Sequence, residues 1–208
     1  MRYDALPTQC AYLFPPLPPL MLEIIGFVLG FVYLWLELKA SIYLWIVGAI
    51  MPAVYAVVYY DARLYADCGI QIYYILAALY GWIAWKMGSA KTLEVPITHA
   101  PHPVWGKAAL TCIACFGALA WVLTTFTDSD VPLSDAFTTA LSIVGMWMLA
   151  RKYVEQWLVW GTVDALYVAL YLYKSLYFTA ILYAVYTIIA IYGYQRWKSI
   201  AQANLKTL

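Results

Sequence analysis

Residues 74–86 read YILAALYGWIAWK, and residues 186–198 read YTIIAIYGYQRWK. Tyr74, Ala78, Tyr80, Gly81, Trp85 and Lys86 return as Tyr186, Ala190, Tyr192, Gly193, Trp197 and Lys198 at a constant separation of 112, and Leu64-Tyr65 returns as Leu176-Tyr177. Further upstream the match reads best at a separation of 115, pairing Gly30, Leu34 and Trp45 with Gly145, Leu149 and Trp160. Both copies lie in long apolar runs. Duplication of this kind predicts two similar helical bundles with a site between them.

The composition says which solvent those bundles meet. With 65% hydrophobic and 11% charged residues, the chain lies far outside the soluble globular range, and its apolar runs are long enough to cross ~30 Å of hydrocarbon. A net charge of +1 gives no reason to expect nucleic acid. Residues 1–20, with Pro15, Pro16, Pro18 and Pro19, read as a proline-stiffened lead-in rather than a signal peptide. Cys112 and Cys115 form a Cys-x-x-Cys within an apolar helix with no second ligand pair, so they read as small packing residues.

Apolar runs between charged or Pro/Gly breaks predict spans at 21–38, 42–60, 68–86, 106–126, 132–150, 155–173 and 176–195. The expected fold is therefore an all-α polytopic membrane protein with seven transmembrane helices. Residues 21–86 form one three-helix bundle, 87–131 a loop and linker helix, 132–198 the second bundle, and 199–208 a tail. Each copy has an odd number of crossings, so the linker helix restores the starting side and the repeats run parallel. This 3+1+3 layout is also that of SWEET-type carriers, although fold alone does not name a ligand.

Positive charge sets the expected orientation. Lys39, Lys86, Lys91, Lys107, Arg151, Lys152, Arg196, Lys198 and Lys206 fall on one face, against Arg2, Arg63 and Lys174 on the other. That bias places the N-terminus outside and the C-terminus in the cytoplasm.

The sixth span carries the most informative pattern. Trp157, Trp160, Asp164, Tyr167, Tyr171 and Lys174 are spaced by three or four residues and share one helical face. A carboxylate near the middle of a span costs about 2.5–3.5 kcal/mol on insertion scales, and no Lys or Arg lies at comparable depth. A cationic ring bound among Trp and Tyr faces would compensate it. Two blander readings compete: Asp164 held neutral by a tyrosine, and Trp157 as an interfacial belt residue.

Gln71, Tyr74, Ala78, Trp82 and Trp85 share a face of span three, matched by Tyr183, Tyr186, Ala190, Tyr194 and Trp197 in span seven. Trp85 and Trp197 read as belt residues, and Gln71 as an amide for a heteroaromatic edge. At a separation of 115 the counterpart of Asp164 is Ala49, which makes the site asymmetric. Tyr33 and Glu37 share a face of span one, where Glu37 reads either as a ligand contact or as a snorkelling carboxylate. Pro52 interrupts span two, and His99 and His102 are too few for a metal site.

These segments resemble the PnuC-type vitamin transporter family, most sharply in Asp67–Lys86 and in Glu155–Lys198 with its Trp157-x-x-Trp160 pair. The resemblance implies a seven-helix carrier, a homotrimer in the bacterial inner membrane, and uptake of a vitamin by facilitated diffusion. A cytoplasmic kinase then traps the substrate, with no direct contact implied. The nicotinamide riboside type tends to carry amides where this chain has Ala78 and Ala84, and often Asn at Asp164; that pattern looks more like the thiamine-specific branch.

The expected ligand is thus thiamine, with nicotinamide riboside or a related vitamin as the alternative. The expected substrate-binding residues are Trp157, Trp160, Asp164, Tyr167, Gln71, Tyr74, Trp82, Tyr183, Tyr186, Glu37 and Tyr33. No cofactor, metal or enzymatic activity is expected. An intramembrane enzyme would need a partner acid for Asp164 at motif spacing or a His within a span, and a retinal photoreceptor a Lys in the last one; the sequence offers none of these.

Overall fold

The computed structural model describes residues 19–61, 65–87, 95–127, 131–173, 175 and 177–206. The lead-in 1–18, Arg63, Leu64, Lys91, Glu94, Asp128, Asp130, Lys174 and Leu176 lie outside the described residues. Seven α-helices form among those described: α1 (Pro19–Leu38), α2 (Tyr43–Asp61), α3 (Tyr65–Lys86), α4 (His102–Phe126), α5 (Pro132–Ala150), α6 (Gln156–Tyr173) and α7 (Tyr177–Lys206). At 1.5 Å per residue each is long enough to cross most or all of a hydrocarbon core.

The chain divides into two units, Met1–Met87 and Gly88–Leu208. In the first, α2 packs on α3 and α1 on α2; in the second, α6 packs on α7, α4 on α5 and α5 on α6. The linker helix α4 thus belongs with the second unit through α5. It buries only Ala108 while presenting Leu110, Ile113, Trp121 and Phe126 outward. In water such a face would be a large apolar liability, whereas in hydrocarbon it needs no cover.

The repeat keeps one register from the end of α1 through α3. α1 ends at Leu38 and α5 at Ala150; Ala40 (φ 50°) and Lys152 (φ 53°) then take the same left-handed conformation. In the first unit Ala40 N–H donates to Glu37 O at 2.9 Å and Ser41 N–H to Leu36 O at 2.9 Å. In the second, Lys152 N–H donates to Leu149 O at 2.9 Å and Tyr153 N–H to Met148 O at 3.1 Å. Each pair is a Schellman ending built without glycine, at the cost of a strained residue.

Helices α2 and α3 then match α6 and α7 at the same separation of 112. The upstream alignment at 115 is therefore corrected: the structural twin of Trp45 is Trp157, and that of Asp164 is Pro52 rather than Ala49.

Tryptophan-on-glycine packing holds both units. The Trp45 ring lies against Gly81 and meets Trp85 edge to face, with centroids 5.4 Å apart. The Trp157 ring covers Gly193 and meets Trp197 in the same way at 5.8 Å. Trp85 and Trp197 are thus buried within their units rather than set in an interfacial belt. One pair is exchanged between the units: Tyr33 of α1 lies over Gly48 of α2, whereas Trp160 of α6 lies over Gly145 of α5.

Helix α7 runs eleven residues beyond the expected end of its span, to Lys206. Its last turns lack Gly and Pro, so loss of hydropathy ends the apolar run without ending the helix. Trp197 and Ala201 are buried there, and Asn204 Nδ2 donates to Ile97 O at 3.4 Å.

Candidate functional site

The second unit brings Asp164, Tyr167, Tyr183 and Tyr186 of the expected site together. Asp164 lies two turns into α6 from Trp157 and is partly buried, with no hydrogen bond or ion pair among the described residues. Tyr167 of α6 and Tyr183 and Tyr186 of α7 are near enough to interact electrostatically with it. Their rings, with Tyr171, form one cluster. Tyr167 and Tyr183 have centroids 4.9 Å apart, Tyr171 stacks on Tyr183 at 5.3 Å, and Tyr183 meets Tyr186 at 5.7 Å. A carboxylate beside a wall of π faces is a chemical match for a flat cation, each ring contact adding about 0.5–2 kcal/mol.

The two tryptophans of the pair diverge from that cluster. Trp157 is 2% exposed, with its ring on Gly193, so it is neither a belt residue nor open to a ligand in this conformation. Trp160 turns toward α5, where a Cβ on Gly145 would come within 3.2 Å of its indole.

The sites expected on the first unit are separate groups. Tyr33 and Glu37 interact electrostatically on α1. Glu37 is 3% exposed, which corrects the snorkelling reading: its carboxylate is buried rather than solvated. On α3, Gln71 and Tyr74 are half-buried, and Tyr74 meets Tyr73 at 5.5 Å. Trp82 has the Lys86 ammonium 4.6 Å from its ring centroid, a pairing that Tyr194 and Lys198 repeat at 5.9 Å. Since both units carry it, that contact belongs to the shared helix ends.

Sequence reasoning missed Glu155. Its Oε1 is 2.7 Å from His99 Nδ1, and its Oε2 accepts from Ala100 N–H at 2.8 Å. Beside it, Thr98 N–H donates to Lys152 O at 3.2 Å and Val154 N–H to Thr98 O at 3.0 Å, a one-residue parallel bridge with Tyr153. Residues 97–100 are thereby strapped across the corner from which α6 starts. The twin of Glu155 is Tyr43, so comparison of the copies at a constant 112 would have exposed it. No group of three metal-ligating side chains occurs among the described residues.

A duplicated, lipid-facing helical scaffold carrying one asymmetric acidic and aromatic face is that of a polytopic membrane protein. Residues 20–199 match the family model described as nicotinamide mononucleotide transporter, so the chain belongs to that transporter family. It is 24% identical over 201 residues to the nicotinamide riboside transporter PnuC of Escherichia coli (85% of this chain, 84% of the relative). It is also 27% identical over 179 residues to the riboflavin/roseoflavin transporter RibM of Streptomyces davaonensis (84% and 83%). The crystal structure of the vitamin B3 transporter PnuC superposes with a TM-score of 0.67 at 23% identity, covering 93% of this chain and 87% of that one, a likeness of fold.

Proposed function

We propose that this transporter carries a cationic heteroaromatic vitamin, nicotinamide riboside foremost, into the bacterial cytoplasm by facilitated diffusion, with phosphorylation inside trapping it. The observation that carries the reading is Asp164, a carboxylate within a helix that has no cationic partner among the described residues and a tyrosine wall beside it. A pyridinium ring satisfies both. The names of the similar proteins support nicotinamide riboside more than the thiamine expected from the sequence. Thiamine, whose thiazolium is also cationic, is the second reading, favoured by a carboxylate at Asp164 where the riboside type often has Asn. Neutral riboflavin leaves the carboxylate uncompensated. The distribution of Lys and Arg supports an outside N-terminus, and the homotrimer implied by the resemblance belongs to the same proposal.

Liposomes with no ion gradient test this directly. Labelled nicotinamide riboside should equilibrate across them, thiamine more slowly and riboflavin least. Preference for riboflavin would overturn the cationic assignment, and accumulation that requires an imposed gradient would overturn facilitated diffusion.

A further inference from the structure

A constant register lets each buried polar group be compared with its twin. Trp45 and Trp157 both bury an indole Nε1–H with no acceptor, so that feature belongs to the packing the units share. Gln156 is different. Its twin is Leu44, and both side chains are 0% exposed, so the fold accepts plain hydrocarbon at this place. Yet neither Oε1 nor Nε2 of Gln156 has a hydrogen-bond partner among the described residues. Burying an amide without partners is unfavourable, and replacing it by an apolar group of similar shape relieves the penalty.

The neighbouring turns repeat the contrast. At i+4 Trp160 replaces Gly48 and carries another buried, unpartnered N–H; at i+8 Asp164 replaces Pro52. Three successive turns on one side of α6 thus exchange Leu, Gly and Pro for an amide, an indole and a carboxylate. Trp157, from which the sequence pattern started, lies at the edge of that face, against α7.

We propose that Gln156, with the Trp160 N–H, is a second substrate station, closed in this conformation and opened as α6 moves during transport, that receives the neutral donor–acceptor edge of the vitamin, such as its carboxamide. A primary amide presents two donors and an acceptor in one plane, which pairs with a group that does the same. Gln156 precedes Asp164 by about 12 Å along the helix, more than one ring and its carboxamide span. The contacts are therefore successive: the cation rests at Asp164, and the amide edge is read nearer the start of α6, next to Glu155. This deepens the proposed transport function and rests on it.

The test compares liposome uptake of nicotinamide riboside with that of an N-ribosyl-pyridinium lacking the carboxamide, in wild type, Gln156→Leu and Gln156→Met. Wild type should favour the carboxamide substrate by about tenfold or more. Both variants should lose that preference while keeping or raising the melting temperature. Unchanged preference in folded variants would overturn the station. A fall in melting temperature in both, with parallel loss of the two substrates, would also overturn it, by showing the amide to be satisfied within the fold. If wild type carries neither cation, the transport reading itself fails, and the station with it; that result is distinct from transport with unaltered selectivity.

Discussion

Glycine opposite an aromatic ring is the recurring contact of this protein, at Gly81 with Trp45, Gly193 with Trp157, Gly145 with Trp160 and Gly48 with Tyr33. A Cβ at Gly193 would sit 2.6 Å from the Trp157 ring, so any larger residue must displace a buried indole. Overpacking of this kind costs about 1–3 kcal/mol. Gly193→Val should therefore lower the melting temperature in detergent by several degrees. Gly117→Ala, with nothing within 4 Å, should leave it nearly unchanged, and equal effects would contradict the packing described. The aromatic and acidic residues of α6 were legible in the sequence because membrane spans rarely hold a carboxylate. The use of Trp157 and Trp160 was not: spacing places them on one face, but only the two glycines reveal that they pack toward opposite neighbours.

At the level of elements, apolar runs located the helices well, since a span in hydrocarbon must satisfy its own backbone. They failed where polarity and helix formation part company, at the end of α7 and at the start of α4 near His102. The strap of residues 97–100 was illegible for another reason. It depends on Glu155, and a carboxylate at a helix start reads as ordinary solvated charge until its partners are seen. Hydrogen bonds to a charged group contribute about 1.5–3 kcal/mol. Glu155→Ala should raise amide hydrogen exchange at Ala100 and Thr98 by about tenfold or more, with α7 unaffected beyond Asn204. Unchanged protection at Ala100 would show that the strap is held by other means.

For the whole molecule, duplication accounts for the scaffold and broken symmetry for the chemistry. Twin positions that agree, such as Trp45 and Trp157 or Ala40 and Lys152, hold helices together. Those that disagree, Asp164 with Pro52 and Gln156 with Leu44, carry the polar groups to which the proposed function assigns the vitamin. The most direct measurement is calorimetric titration of nicotinamide riboside into purified wild type and Asp164→Asn. The variant should fold and melt as wild type does, yet bind the cation at least about tenfold more weakly, a difference of about 1.4 kcal/mol. Equal affinity in the two proteins would contradict the assignment of Asp164 as the counter-charge of the substrate.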